Sequence, residues 1–181
     1  MSENHAARIT LDTLREMKRQ HRPFAMLTAY DYPTAALAET AGVHSLLVGD
    51  SLGNVLLGHA NTRGVPLDLM ITLAEAVRRG APRVYLIGDM PWSATRDGER
   101  GVVSAARRFL DEARCDAVKI EVTRGELGWV AAATRAGVPV IAHLGLRPQS
   151  VLSPNEYRAQ ARDEASVAAL VNDAREMVAA G

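Results

Sequence analysis

At 181 residues, 48% hydrophobic and 23% charged, the chain is long enough to bury a core and has an ordinary globular composition. Its 21 Lys and Arg balance 21 Asp and Glu, so no basic face is implied, and neither nucleic acid nor an anionic membrane surface is an expected partner. The single cysteine, Cys115, excludes an internal disulfide framework; with a polar start and no run of ~18 apolar residues, a cytoplasmic setting is expected.

The expected elements alternate along the chain. A helix at 10–20 (TLDTLREMKRQ) precedes a short apolar run at 24–28 (FAMLT). The helical pattern YPTAALAETAG (32–42) ends on a glycine stop and leads into the run SLLVG (45–49). That run breaks at Asp50, into Ser51-Leu52-Gly53. PLDLMITLAEAVRRGAP (66–82) closes on Arg, Arg, Gly and Pro, the signals of a helix C-terminus. VYLIG (84–88) then ends on Asp89. After DGERGVVSAARRFLDEA (97–113), the run AVKI (117–120) carries Lys119 and is followed by Glu121. TRGELGWVAAATRAG (123–137) leads to VPVIA (138–142) and His143, and RDEASVAALVNDAREMVAAG (162–181) is the last helical pattern.

Apolar runs without period-2 alternation indicate strands covered on both faces, hence a parallel sheet and an α/β fold. Regular strand–helix alternation leaves a doubly wound sheet or a (β/α)8 barrel. A dinucleotide-binding fold carries G-x-G-x-x-G after its first strand, whereas this strand runs into TAYDYP, which has no glycine. Barrels place functional groups at the C-terminal ends of several strands, as this sequence does repeatedly. A whole barrel takes roughly 250 residues. Residues 1–181 therefore read as one partial TIM-barrel domain of about five βα units, with two unpaired sheet edges.

On one barrel rim, Asp50, Asp89, Glu121 and His143 would converge. Carboxylates gathered in a cleft raise each other's pKa unless a cation sits between them. Oxygen donors without cysteine or several histidines favour Mg2+ over zinc, and Mg2+ can hold the keto and carboxylate oxygens of a 2-oxo acid. Lys119, two residues before Glu121, shares its strand face and suits the substrate carboxylate, while Ser51 offers a hydroxyl. Each residue also has a structural reading. Asp50 and Asp89 suit turns or helix caps, Lys119 and Glu121 an ion pair, and His143 a hydrogen-bonded rim. His59, Trp92 and Trp129 read as structural, and His5, His21, His44 and Cys115 carry no recognisable signal. Unrelated caps would not all fall at strand C-termini, which favours the site.

The words themselves add a resemblance. TAYDYPTAALAETAGVHSLLVGDSLGNVLLGH, AVRRGAP, DMPW, AVKIE and HLGLRPQSV are similar to the ketopantoate hydroxymethyltransferase family, in its order and at about its spacing, over residues 8–181. The resemblance implies a (β/α)8 barrel of the phosphoenolpyruvate/pyruvate superfamily, assembled as a homo-oligomer. It implies transfer of a one-carbon unit from 5,10-methylenetetrahydrofolate to 3-methyl-2-oxobutanoate, through a Mg2+-stabilised enolate, to give 2-dehydropantoate. It implies Asp50 and Asp89 as direct Mg2+ ligands with Glu121 attached less directly, and Asp50, Ser51, Asp89 and Lys119 as substrate contacts. The family's proton acceptor is a glutamate at the end of a sixth strand, beyond Gly181, and neither Glu156 nor Glu176 stands in its context. This chain departs from the family's pattern at Ala60, at Ile71-Thr72-Leu73 and at Arg158 beside Tyr157. Two further readings remain: a superfamily lyase or decarboxylase acting on a 2-oxo acid with Mg2+, and a non-catalytic chain that binds metal and 2-oxo acid or pairs with a longer homologue.

Overall fold

The computed structural model describes residues 7–181, so His5 lies outside the described residues. The chain alternates as α1 (Leu11–Arg19), β1 (Met26–Thr28), α2 (Tyr32–Thr40), β2 (Ser45–Val48), α3 (Leu52–Val55), α4 (Leu67–Gly80) and β3 (Tyr85–Asp89). It continues as α5 (Trp92–Thr95), α6 (Gly98–Asp111), β4 (Ala117–Glu121), α7 (Leu127–Arg135), β5 (Val140–His143) and α8 (Glu164–Ala179). All five expected strands and all six expected helices are present, within a few residues of the expected bounds. The short helices α3 and α5, four residues each, were not expected, because a single turn leaves no periodicity to read.

All strand pairs are parallel, and the order is β1-β2-β3-β4-β5. The order never reverses, so the sheet has no switch point of the doubly wound kind. This is the strand progression of a (β/α)8 barrel over five units. Alternation along each strand divides the side chains. Leu46, Val48, Leu86, Val118 and Ile120 pack with the helices in the main core, all fully buried. Gly88 belongs to that face: a Cβ there would lie 2.3 Å from the Phe109 ring, so only glycine lets α6 lie this close. Tyr85, Ile87 and Ala117 face the other way, onto Ile9, Leu14 and Leu47.

The expectation that every strand is covered on both faces holds for β2, β3 and β4 and fails at the margins. Met26 and Leu27 of β1 are each 51% exposed, and Ile141 of β5 is 39% exposed. Both strands are sheet edges, with a hydrogen-bonded neighbour on one side alone. Among the described residues, no helix is long and apolar enough to cross a membrane. Both expected helix stops hold: Gly42 has φ of +83° after α2, and α4 ends at Gly80, two residues before Pro82.

Candidate functional site

Asp31, Asp50 and Asp89 all stand at or just beyond the end of a strand, and their side chains do different things. Asp31 caps α2, with Oδ1 accepting from the Thr34 N–H at 2.7 Å. The side chains of Asp50 and Asp89 cap no helix: the N-cap positions of α3 and α5 are Ser51 and Pro91, neither of which makes a side-chain cap bond. The capping reading therefore suits Asp31 and not the two residues for which it was considered. Asp50 and Asp89 are buried, at 3% and 1% exposure.

Strand register explains why they meet. Asp89 pairs laterally with Lys119, and Glu121 with His143, so all four sit on one sheet face near the C-terminal ends. Lys119 Nζ lies 2.7 Å from Asp89 Oδ2, which also accepts the Asp50 backbone N–H at 3.2 Å. Gly49 leaves room for the Ser51 hydroxyl, since a Cβ there would stand 2.8 Å from Ser51 Oγ. The Ser51 hydroxyl shares a 2.8 Å hydrogen bond with the Tyr30 hydroxyl from the end of β1. Glu121 Oε1 stands 3.4 Å from His143 Nδ1, outside hydrogen-bond geometry.

Sequence reasoning missed Gln149, which stands in the 3-10 turn Pro148–Ser150 after β5 and is 7% exposed. Its amide Nε2 donates to Asp50 Oδ2 at 2.9 Å and to Met90 O at 2.7 Å, and its backbone N–H donates to Glu121 Oε2 at 3.0 Å. The residue belongs to HLGLRPQSV, but no local pattern ties it to a strand end 99 positions earlier. Tyr30 was missed for the same reason.

Burial pushes the Asp89 carboxyl up to about 7; the charge of Asp50 pushes the same way and the Lys119 ammonium pulls back. Burial likewise raises Asp50, opposed by the Gln149 amide and Lys119 and reinforced by Glu121. Three carboxylates thus share one ammonium on this rim. Two of their oxygens, Asp89 Oδ1 and Glu121 Oε1, are buried without a hydrogen-bond partner. Orphaned anionic oxygens in a low-dielectric site are costly, and a cation is what would relieve them.

The donor set fits Mg2+ in a particular way. Among the described residues, no three His, Cys, Asp or Glu side chains are close enough to form a preassembled metal cage. A structural zinc site needs such a cage; Mg2+ takes one or two carboxylates and fills its octahedron with water and substrate oxygens. Asp50 and Asp89 are two buried carboxylates of the kind such an ion takes, and Glu121 is held on the same rim by the Gln149 N–H.

The remaining candidates fall elsewhere. His59 is exposed, and its backbone carbonyl accepts from Asn54 Nδ2. His44 Nδ1 accepts the Ala25 N–H at 3.3 Å, and exposed His21 makes no side-chain contact of note. Burial drives the Cys115 thiol up to about 12, so it stays an inert thiol. Glu176 is paired with Arg124 at 2.6 Å, and Glu156 accepts the Leu152 N–H. Trp92 is covered by Arg63 and Arg96, whose guanidinium carbons lie 5.1 and 5.7 Å from its ring centre. Beside Glu121 a polar cavity of about 150 Å³ opens, lined by Arg63, Trp92, Glu126, Trp129, Arg147 and Gln149 among others.

The family model described as ketopantoate hydroxymethyltransferase matches residues 8–181. The 3-methyl-2-oxobutanoate hydroxymethyltransferase of Geobacillus kaustophilus is 46% identical over 165 residues, which are 91% of this chain and 59% of that one. The Bacillus subtilis protein of the same name is 43% identical over 171 residues, 94% of this chain and 61% of that one. The chain thus spans about 60% of the length of the curated relatives it matches. Among solved structures, 2,3-dimethylmalate lyase, a PEP mutase/isocitrate lyase superfamily member, superposes with a TM-score of 0.65 at 20% identity, over 94% of this chain and 59% of that one. Phosphonopyruvate hydrolase, solved with oxalate and Mg2+, gives 0.67 at 21% identity, over 93% and 59%. At such identity these likenesses carry the fold, the α/β arrangement of that superfamily.

Proposed function

The chain belongs to the ketopantoate hydroxymethyltransferase family, and from that premise we propose that it serves transfer of a hydroxymethyl group from 5,10-methylenetetrahydrofolate to 3-methyl-2-oxobutanoate, giving 2-dehydropantoate. The reaction belongs to pantothenate and coenzyme A synthesis in the cytoplasm, with a homo-oligomer as the working form. One observation carries the reading. Asp50, Asp89, Lys119 and Glu121 share one buried rim where two carboxylate oxygens have no partner.

Each residue has a task on that reading. Asp50 and Asp89 would hold Mg2+, with Glu121 attached to it less directly. Bound there, the ion supplies a Lewis acid that stabilises the negative charge developing on the keto oxygen as C3 loses its proton. Lys119 pairs with the substrate carboxylate, giving up part of its contact with Asp89. The Ser51 hydroxyl, oriented by Tyr30, donates to the same carboxylate. Burial excludes water from the site, which strengthens these charge contacts. The C3 proton passes to a base, leaving an enolate. One water releases the methylene carbon from both folate nitrogens as formaldehyde, leaving tetrahydrofolate, and C3 attacks that carbon, whose oxygen takes a proton to become the hydroxyl. Among the described residues we assign no base: Glu156 and Glu176 are engaged away from the rim.

The lyase or decarboxylase reading falls behind, because the sequence identity lies with proteins named hydroxymethyltransferases and the lyase likeness is one of fold. The binding-only reading has one observation in its favour. The exposed edges β1 and β5 suit a chain that pairs with a longer homologue or a second copy.

Proton NMR of 3-methyl-2-oxobutanoate in D2O, with the chain and Mg2+, tests the proposal. Metal-dependent loss of the C3 proton signal that disappears in Asp50→Ala supports an enolising site. Binding of the 2-oxo acid without exchange supports the binding-only reading. Absence of both contradicts the proposal.

A further inference from the structure

Gln149 is an uncharged residue in the middle of a charged site. Its side chain meets two acceptors, Asp50 Oδ2 and Met90 O, at 2.9 and 2.7 Å. A carbonyl cannot donate, so the amide nitrogen must face Met90 O, and its second hydrogen goes to Asp50 Oδ2. The backbone N–H of the same residue takes Glu121 Oε2 at 3.0 Å. One residue therefore ties the ends of β2, β3 and β4 together with three donors.

The turn that carries it is itself fixed. Arg63 Nε donates to Gln149 O at 2.7 Å, and the Ser150 N–H donates to Arg147 O at 3.0 Å. Gln149 is buried, at 7% exposure, and the hydrogen bonds leave its amide no alternative partner. Each carboxylate gives one oxygen to Gln149. The other oxygen of Glu121 is buried and unpartnered.

Resting on the Mg2+ reading above, we propose that Gln149 is a positioning residue for the cation site: it fixes the orientation of Asp50 and Glu121 so that one oxygen of each is held and the other is kept for the ion or its waters. A neutral amide suits this task. An ammonium or guanidinium at the same place would hold the carboxylates as well but would repel a divalent cation. A carboxylate would face Asp50 and Met90 O with no hydrogen to offer. Residues that orient metal ligands through hydrogen bonds change metal affinity by about 10–100-fold when removed.

The test reads Mn2+ binding to the 181-residue chain by electron paramagnetic resonance, beside thermal unfolding of the metal-free protein. Gln149→Met keeps the volume and removes the amide. Gln149→Asn keeps the amide and withdraws it by one methylene. Both variants are expected to bind Mn2+ about 10–100-fold more weakly and to change the line shape of the bound ion. A residue with only a structural role would lower the unfolding temperature and leave Mn2+ affinity and line shape unchanged; that result overturns the proposal, as does binding within twofold of the wild type in both variants. If the wild-type chain binds no Mn2+, the cation reading and this inference fall together. If wild type binds and the variants match it, the inference alone falls.

Discussion

The two ends of the sheet each hold a carboxylate beside a cation, half-buried at one end and buried at the other, and they differ in how completely their polar atoms are used. At the N-terminal end, Asp116 Oδ2 takes Arg78 Nη2 at 2.6 Å and the Leu86 N–H at 2.8 Å, while Oδ1 takes Arg8 at 2.7 Å. Arg78 spends its other donors on the carbonyls of Ala81, Pro82, Val84 and Arg114. Neither residue has a buried side-chain atom without a partner. At the C-terminal end, three carboxylates face one ammonium, and two buried oxygens have no partner. A saturated network holds a fold together, and an unsaturated one is poised for something that arrives later. Both ends come from the same five strands. The end with unfinished chemistry is the one where barrels keep their active sites.

The strongest way to sharpen this contrast is to break the saturated end. Arg78→Ala leaves the half-buried Asp116 without its closest partner, with Arg8 and the Leu86 N–H still in place, and takes the donor from four carbonyls, which should cost about 3 kcal/mol. Chemical denaturation should show a loss of that size, while any fraction still folded binds Mg2+ as before. A loss under about 1 kcal/mol would mean the N-terminal network is not structural.

Breaking the other end should have the reverse outcome. Asp50→Ala removes a buried, partly uncompensated carboxylate. Mg2+ affinity, measured by calorimetry, should fall by about 100-fold or more, with unfolding stability unchanged or raised. Destabilisation as large as that of Arg78→Ala would erase the distinction between the two ends.

The metal-free chain should also show an inverted pH profile for one carboxyl. Asp89 titrates near 3.8 when unfolded and at about 7 when folded. The folded state holds this proton more tightly, so its contribution to stability is full below pH 3.8 and is lost as pH rises to about 7. Between pH 5 and 8 the loss from this group should be of order 2 kcal/mol in the absence of divalent cations. Asp89→Asn should flatten that slope, and an unchanged slope would contradict the assignment.

The smallest expected effect concerns Lys119. Lys119→Met should weaken 3-methyl-2-oxobutanoate binding by about 10-fold in the presence of Mg2+, since it removes one charge-assisted contact. Mg2+ affinity itself should not fall, because the ammonium competes with the ion for Asp89. A fall in Mg2+ affinity would mean that Lys119 supports the cation site rather than the substrate.

Much of this geometry was legible before any coordinates. The apolar runs ending in Asp50, Asp89 and Glu121 gave strands within a residue or two of those observed, because buried parallel strands write themselves as short continuous apolar stretches. Period-2 spacing put Lys119 and Glu121 on one face, and the register does the same. What could not be read was long-range and polar. Gln149 meets Asp50 across 99 positions, Tyr30 meets Ser51 across 21, and Arg78 meets Asp116 across 38. A sequence pattern reports what a residue's own element needs, and none of these contacts lies within one element. The exposed apolar edges of β1 and β5 were legible from the count of units, since a partial barrel of about five leaves two strands with a neighbour on one side alone.

The most direct test of the central claim is a calorimetric titration of 3-methyl-2-oxobutanoate into the chain, run with Mg2+, with a chelator, and with Mg2+ on Asp50→Ala. Saturable binding of one equivalent is expected only where both Mg2+ and Asp50 are present. Equal affinity in the chelated sample, or in Asp50→Ala, would show that the rim at the strand ends is not where a cation and a 2-oxo acid meet.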